Sequence, residues 1–495
     1  MLNVKRIKKK FQPDYSRIII KPHIPTGEDR IERIIMRVIS LSEEKTKQVL
    51  DRVIASFSNR HKNIWDALDK NYNEIKKYIP QNTEISEDKK ALLGAYFSLE
   101  YSIQAAAFFN PSIIPHPDQS NLPKGSLRFI LSFRSVGEGH ISSIEFRSGV
   151  VDENCEFTFD KVSRYAERAQ VASNPVYDKT TFFLKLSEMQ KPENIISQQV
   201  SDLLSDQFLL SDLIEALDII IDSEHKDIGK NILWLAKSNY ELQFKPDMEL
   251  SEKIIFPVSK NDSHGIEDAR FVRFVDENGI VTYYATYTAY NGFRILPQII
   301  ETKDFLNFKM ITLNGQFSKN KGMALFPRKI NGKYTMISRV DGENLYLMSS
   351  ENIHFWHNAK LLKEPENEWE FVQIGNCGSP IETDQGWILL THGVGPMREY
   401  CIGIILLDLE DPSKIIGNMV EPLLIPTEEE REGYVPNVVY SCGSIIHNDD
   451  LIIPYAMSDT CSGIATISVS ELFNNIQVAK PHSQIIDHSN STSQR

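Results

Sequence analysis

The sequence predicts a mainly β protein, a five-bladed β-propeller that carries an N-terminal helical unit and a helical insertion. Short runs of β-branched and aromatic residues follow turn signals, which is typical of strands. Four of these turns lie near residues 279, 332, 386 and 450, so they are 53 to 64 residues apart. That spacing is close to the roughly 40–50-residue period of propeller blades with added loops. An earlier turn at 124–125 gives a fifth unit. A β-sandwich with long loops is the structural alternative.

Each turn precedes one predicted strand. The five strands cover residues 127–133, 280–287, 334–337, 387–391 and 451–455. A propeller places one loop from each blade around a central opening. Polar residues that are distant in sequence are therefore expected to meet in one pocket.

Helical spacing is confined to two regions. Apolar residues recur at three- and four-residue steps over 29–77 and again over about 190–235, which predicts amphipathic helices. The predicted organisation is an N-terminal helical extension over 1–100, a propeller domain over 101–480 with a helical insertion at about 163–240, and a disordered tail over 481–495.

The composition indicates a soluble globular protein. The 495 residues carry 54 basic and 67 acidic side chains, a formal charge of −13, which argues against a protein that grips a nucleic acid backbone. No stretch approaches the roughly 18 consecutive apolar residues of a membrane helix. The basic residues of 5–10 are interpreted as a solvated arm, and no apolar stretch of a signal peptide follows them.

The cysteines favour a reducing cytoplasm. There are five of them, and none forms a Cys-x-x-Cys pair, so neither a disulfide framework nor a zinc site is indicated. Motifs of nucleotide-binding, dinucleotide-binding, zinc-protease and serine-hydrolase sites are missing from the sequence. We predict no metal and no organic cofactor.

The segment 264–270 holds the candidate proton donor. Asp268 follows Glu267 directly and precedes an apolar strand at 271–274, so strand alternation is expected to send the two carboxylates to opposite faces. A carboxylic acid beside another carboxylate and shielded from water keeps its proton near neutral pH. Glu267 and Arg270 would set this balance. From spacing alone, an Asp–Arg surface pair that caps a turn is the more ordinary interpretation.

Four basic or imidazole side chains lie near the ends of predicted strands. They are Arg134, Arg294, Lys321 and His392. Such a group could bind inorganic phosphate, because an oxyanion needs several donors from separate loops. Taken singly, each is more often a solvated charge or a half-buried imidazole.

Aromatic and acidic side chains give only permissive signals. Sugar rings stack on aromatic side chains, but aromatic residues in strands are more commonly core. The aromatic candidates are Tyr284, Tyr287, Tyr290, Trp369, Trp387, Tyr434, Tyr440 and Tyr455. Glu138 and Glu343 lie in glycine-containing loops, where an acidic turn residue is the simpler interpretation.

Several ordered motifs together are more specific than any one of them. They cover residues 264–290, 321–327, 386–394, 406–414, 433–439 and 455–459. In this order they resemble glycoside hydrolase family 130, the β-mannoside phosphorylases and related β-mannosidases. The resemblance extends over roughly 127–475 without the helical insertion, and the N-terminal helical unit lies outside it.

The resemblance implies a propeller with the sugar in its central pocket and inverting attack by inorganic phosphate on a β-mannoside, which yields α-mannose 1-phosphate. Asp268 matches the family's general acid, whose proton is thought to pass through a mannosyl hydroxyl to the bridging oxygen. Arg134, Lys321 and His392 match positions that bind phosphate or the adjacent sugar, and Asp459 matches an acidic sugar-binding position. The remaining predicted binding residues are Glu267, Arg270, Arg294 and Tyr455.

The sequence departs from the family pattern at two places. Ala269 stands where the family usually has proline, and the stretch 392–394 runs straight into 395–398. These departures leave the acid assignment intact and concern linkage preference and the nucleophile. The alternatives are an inverting β-mannosidase and a non-catalytic glycan-binding propeller. The expected partners are a β-mannoside oligosaccharide and phosphate, with neither nucleic acid nor membrane, and the helical additions are expected to support a homo-oligomer.

Overall fold

The computed structural model confirms that the protein is mainly β. It describes residues 2, 4–172, 174–189, 195–222 and 224–478. The predicted disordered tail over 481–495 lies outside the described residues. Within the described ranges, no helix has the length and apolar character needed to cross a bilayer.

The N-terminal region combines three short strands with four helices. Its elements are β1 (Lys5–Arg6), β2 (Ile18–Pro22), α1 (Glu28–Ile39), α2 (Glu43–Phe57), α3 (Ile64–Ile75), α4 (Glu87–Tyr96) and β3 (Ser98–Ser102). The side chains of Ser42, Asn63 and Ser86 accept backbone hydrogen bonds at the starts of α2, α3 and α4, as N-cap residues do. The apolar face of α1 packs with α3 and α4 in one small core.

Five antiparallel units, numbered 1 to 5 along the chain, make up most of the remainder. Unit 1 holds β4 (Ala107–Pro115), β5 (Leu127–Val136), β6 (Ser142–Val151) and β7 (Phe157–Phe159).

The helical insertion follows unit 1 and has its own apolar core. The elements between units 1 and 2 are β8 (Glu167–Arg168), β9 (Gln170–Val171), β10 (Val176–Asp178), α5 (Lys179–Met189), α6 (Ile195–Asp202), β11 (Gln207–Leu209), α7 (Leu210–Ile220), α8 (Lys226–Ser238), β12 (Tyr240–Gln243) and β13 (Lys253–Ile255).

Units 2 and 3 are four-stranded antiparallel meanders. Unit 2 holds β14 (Gly265–Val275), β15 (Val281–Tyr290), β16 (Ile295–Thr302) and β17 (Asn307–Thr312). Unit 3 holds β18 (Ala324–Leu325), β19 (Tyr334–Ser338), β20 (Leu345–Ser350) and β21 (Asn358–Lys363). The strand β12 of the insertion pairs with β17 and so widens unit 2.

Units 4 and 5 complete the series. Unit 4 holds β22 (Gln373–Asn376), β23 (Ile381–Thr383), β24 (Gly386–Val394), β25 (Tyr400–Leu407) and β26 (Ile415–Asn418). Unit 5 holds β27 (Val439–Tyr440), β28 (Ile445–His447), β29 (Asp450–Met457) and β30 (Cys461–Ser468). A short helix, α9 (Val469–Phe473), and β31 (Gln477–Val478), which pairs with β26, follow.

The units touch one another in chain order. Ser142 and Gly265 form a parallel bridge between units 1 and 2, and backbone amides donate across the later boundaries. These donors and acceptors are Val275 N to Pro327 O, Ile374 N to Glu343 O, Tyr400 N to Asn437 O and Phe108 N to Thr460 O. The last of these joins unit 5 to unit 1. In addition, β1 pairs antiparallel with β30.

Candidate active site

A bulge in β14 positions the candidate acid. The pairing of β14 with β15 shifts between Glu267 and Arg270, and Asp268 within this bulge has a left-handed φ of 54°. A bulge re-aims side chains and is common next to active sites. The expectation that Glu267 and Asp268 point to opposite faces is therefore wrong. Arg134 contacts both carboxylates, with Nη2 2.8 Å from Glu267 Oε1 and Nη1 3.4 Å from Asp268 Oδ1.

The start of β14 lies very close to β6 of unit 1. Gly265 has a φ of 146°, and a Cβ on it would come within 2.2 Å of Ser142 Oγ. Only glycine fits this approach between units 1 and 2. The first residues of β14 then pair regularly with β15 up to Glu267, so the bulge that carries Asp268 begins from a fixed position.

Asp268 is surrounded by donors and cations. Asn110 Nδ2 donates to Asp268 Oδ1 at 2.7 Å, and Lys321 Nζ donates to Glu267 Oε2 at 2.6 Å. Burial acts to raise the pKa of Asp268, but the charges of Arg134, Arg270 and Lys321 outweigh it and lower that pKa below its ordinary value. In this state Asp268 is a carboxylate. The expectation that the surroundings of Asp268 keep it protonated near neutral pH is therefore wrong for these protein groups alone, because the cations outweigh burial.

Arg270 donates its hydrogen bonds to other groups of the protein. Its guanidinium is buried, donates to Tyr440 Oη at 2.5 Å and to the backbone oxygen of Asp268 at 3.1 Å. It therefore braces the bulge and adds positive charge behind Asp268.

His392 is a neutral acceptor. Burial and the nearby charges of Arg339 and Arg270 hold its pKa well below the ordinary range. Its Nδ1 lies 3.2 Å from the backbone oxygen of Asn376, so Nδ1 carries the proton and Nε2 accepts. Nε2 faces Arg339 Nη1 at 3.4 Å. The sequence analysis grouped His392 with Arg134, Arg294 and Lys321 near the strand ends. In the structure, His392 instead orients a different cation, Arg339.

Asp459 contributes a third carboxyl group. It follows β29 in a left-handed conformation with a φ of 52°. Burial and the negative charge of Asp268 raise the pKa of Asp459 to about 6, against the opposing charges of Arg134 and Arg398. Two carboxyl groups with pKa values displaced in opposite directions thus share one site, an arrangement typical of acid–base chemistry.

Two predicted binding residues lie elsewhere. Tyr455 is buried in the core between units 4 and 5, and its hydroxyl donates to Glu430 Oε1 at 2.6 Å. Arg294 lies on an exposed turn after Tyr290. Among the described residues, no contact joins its guanidinium to Asp268 or Asp459.

The other sequence candidates separate into core and surface. Tyr287 and Trp387 are core residues, Tyr440 contacts Arg270, and the exposed Tyr434 packs against His140 with ring centroids 5.6 Å apart. Glu138 and Glu343 make contacts through their backbone oxygens.

Sequence reasoning missed Asn110 and Arg339. Asn110 interrupts an otherwise apolar strand in a left-handed conformation with a φ of 47°, and a lone amide within an apolar run was the available signal. Arg339 follows β19 directly. Its Nε is buried without a hydrogen-bond partner in the described part of the chain, which no local pattern reveals.

Buried carboxyl groups with oppositely displaced pKa values, beside donors of positive charge, are typical of an enzyme that uses acid–base chemistry. The family model described as beta-1,4-mannooligosaccharide phosphorylase matches residues 221–478. The chain belongs to glycoside hydrolase family 130. The match includes Asp268, Lys321, His392 and Asp459, and Arg134 precedes it.

Known proteins are similar to parts of this chain. A 1,2-beta-oligomannan phosphorylase of Thermoanaerobacter sp. strain X514 is 34% identical over 259 residues, which cover 50% of this chain and 83% of the relative. A beta-1,2-mannobiose phosphorylase of the same strain is 37% identical over 214 residues, 42% of this chain and 68% of the relative. The solved beta-1,2-mannobiose phosphorylase of Listeria innocua, in complex with beta-1,2-mannobiose, is 21% identical with a TM-score of 0.45 and covers 75% of this chain and 92% of its own.

Proposed function

We propose that the protein is an inverting phosphorylase of β-mannosidic bonds in manno-oligosaccharides. It transfers a mannosyl group to inorganic phosphate and yields α-mannose 1-phosphate and the shortened sugar. Arg339 carries this proposal. Its guanidinium is half-buried and oriented by His392, its Nε has no partner, and it forms no ion pair within the described residues. A guanidinium in this state is a ready ligand for an oxyanion.

The same anion would prepare the acid. Arg134 and Lys321 contact Glu267, so phosphate bound near Arg339, Arg134 and Lys321 would offset the charges that now lower the pKa of Asp268. A higher pKa allows Asp268 to hold a proton near neutral pH. Phosphate oxygen then forms the new bond to C1 as the bond from C1 to the bridging oxygen breaks, and that oxygen receives the proton from Asp268. Attack from the opposite face converts a β-mannoside into an α-phosphate.

A five-bladed propeller is the architecture we propose for units 1 to 5. Backbone contacts link each unit to the next, and unit 5 to unit 1. The site residues also come from different units, with Arg134 in unit 1, Asp268 in unit 2, Arg339 in unit 3, His392 in unit 4 and Asp459 in unit 5. One side chain from each blade is the pattern of a central pocket.

Product analysis tests the activity. The protein is incubated with β-1,2- and β-1,4-mannobiose, with and without phosphate, and the anomers are followed by NMR. We expect α-mannose 1-phosphate that forms only with phosphate and is lost in Asp268→Asn. Release of free mannose at the same rate without phosphate would instead establish a β-mannosidase. Binding without turnover would establish a glycan-binding protein.

Several further properties are part of the proposal. The predicted domain bounds, a cytoplasmic location and a reaction without metal or organic cofactor rest on the sequence arguments given above. So do the homo-oligomer and the lack of nucleic acid or membrane partners. Size-exclusion chromatography with light scattering tests the oligomer, and a monomer at high concentration would contradict it.

A further inference from the structure

The end of the helical insertion is hydrogen-bonded to the segment that leads into the catalytic strand. This lead-in segment comprises residues 256–264, immediately before β14. Asn261 Nδ2 donates to Ser238 Oγ at 2.6 Å, and the Tyr240 hydroxyl donates to Asp262 Oδ2 at 2.7 Å. All four residues are buried. The contacts join the last turn of α8 and the first residue of β12 to the lead-in segment.

Asp262 accepts hydrogen bonds from the start of the lead-in segment and from the start of β14. Its Oδ1 accepts from Val258 N at 3.1 Å, and its backbone oxygen accepts from Gly265 N at 2.8 Å. Gly265 is the first residue of β14 and has no room to shift toward Ser142. Three residues later the bulge presents Asp268. The position of the acid therefore depends on a backbone that Asp262 holds and that Tyr240 steadies from the insertion.

A buried carboxyl group at this place calls for an explanation, because burial without a charged partner is costly. Asp262 is fully buried, and burial raises its pKa to about 6 despite hydrogen bonds from Tyr240 and Ser259. It forms no ion pair among the described residues. The reaction proposed above does not use it.

We propose that Tyr240 and Asp262 are positioning residues for the general acid, and that the helical insertion is thereby a working part of the active site. The proposal rests on the phosphorylase function proposed above. It assigns a role to a segment most of which precedes the family match, which begins at residue 221.

A second attachment of the insertion provides a contrast. Lys185 Nζ donates to the backbone oxygen of Thr312 at 3.0 Å, at the end of β17, the strand of unit 2 most distant in sequence from β14. Within the insertion, the hydroxyl of buried Tyr177 donates to the backbone oxygens of Ala236 and Asn239. Tyr177 thus resembles Tyr240 in chemistry and burial, but its hydroxyl donates to backbone oxygens of residues 236 and 239 and not to the lead-in segment.

The test compares two leaving groups in Tyr240→Phe, with Tyr177→Phe as the matched control. A β-mannobiose needs a proton on its leaving oxygen, whereas 2,4-dinitrophenyl β-mannoside does not. Misplacement of a catalytic group by about 1 Å costs up to roughly 100-fold in rate. For Tyr240→Phe we expect kcat on β-mannobiose to fall about 10- to 100-fold with KM nearly unchanged, and a much smaller loss on the dinitrophenyl substrate. Tyr177→Phe is expected to match the wild type on both substrates.

Hydrogen exchange adds a readout that needs no turnover. We expect faster exchange of the amides of 265–270 in Tyr240→Phe and not in Tyr177→Phe. Asp262→Asn should give the same pattern, and if it fails to fold, Tyr240→Phe decides. Unchanged kcat in Tyr240→Phe, or equal losses on both substrates, overturns the proposal. If the wild type turns over no mannoside, the phosphorylase function fails, and the exchange result decides whether the insertion holds β14.

Discussion

Replacing Lys321 by methionine tests the phosphate site most directly. Lys321 Nζ lies 2.6 Å from Glu267 Oε2, and the side chain is 38% exposed. Methionine keeps much of the apolar stem and removes the charge. A hydrogen bond to a charged group contributes about 1.5–3 kcal/mol, and about 1.4 kcal/mol corresponds to tenfold. Because partial exposure weakens the interaction, we expect the lower end, a rise of about tenfold in KM for phosphate.

Lys321→Met also has a consequence for pH dependence. Lys321 is one of the cations that lower the pKa of Asp268, so its removal raises that pKa. Catalysis needs Asp268 protonated, and the rate falls as pH rises through the pKa of the acid. The limb of the kcat profile that falls with rising pH should therefore move to higher pH.

The assay measures initial rates of phosphorolysis at saturating mannobiose with varied phosphate. The control is Lys329→Met, because Lys329 pairs with Glu277 at 3.0 Å at the opposite end of the β14–β15 hairpin. Thermal unfolding checks that both variants are folded. A KM for phosphate that stays at the wild-type value in Lys321→Met, or rises equally in Lys329→Met, would refute the assignment of Lys321 to phosphate.

Three further predictions concern the site and its framework. Asp268→Asn should lower kcat by about 10²- to 10⁴-fold in protein that thermal unfolding shows to be folded, and retained turnover would remove Asp268 from the acid role. Burial raises the pKa of Asp459 to about 6, so the wild type buries a charge above that pH and loses stability as pH rises from about 4 to 7. Asp459→Asn carries no such charge. In denaturant titrations its unfolding free energy should therefore exceed that of the wild type by more at pH 7.5 than at pH 5. A difference that does not depend on pH would contradict the raised pKa of Asp459. Gly265→Ala should destabilise the protein by at least about 1–3 kcal/mol, because its Cβ would meet Ser142 Oγ at 2.2 Å, and an unchanged melting temperature would show that this contact yields.

The sequence predicted the β architecture more readily than the site. Turn signals at 278–279 and 331–332 mark hairpins because Gly279 in the first turn, and Asn331 and Gly332 in the second, adopt the left-handed backbone that such turns require. Helical spacing likewise marked the N-terminal region, where the structure has three α-helices, α1 to α3, but that spacing did not give the breaks between them. Their N-caps, such as Ser42 and Asn63, were legible signals of these breaks.

The candidate site depends on a bulge, a left-handed turn and a long-range contact, which the two-residue alternation of a regular strand does not predict. Alternation separates Glu267 from Asp268 only in a regular strand, and the bulge removes that condition. Tyr455 lies four residues before Asp459, yet it points into the core because the chain turns left-handed only after β29. Arg339 was missed because its role arises from contact with His392, 53 residues away. Such contacts belong to the folded chain and have no local signature.

The pairing of β1 with β30 has a consequence for biosynthesis. Lys5 and Arg6 align with Thr466 and Ala465, so β1 is made long before its partner β30. Until β30 has been made, β1 has no partner, and a free strand edge can recruit another chain. Completion of unit 5 therefore requires that β1 is still free to pair with β30 when that strand emerges. An amino-terminal fusion that delays the pairing of β1 should increase aggregation during expression.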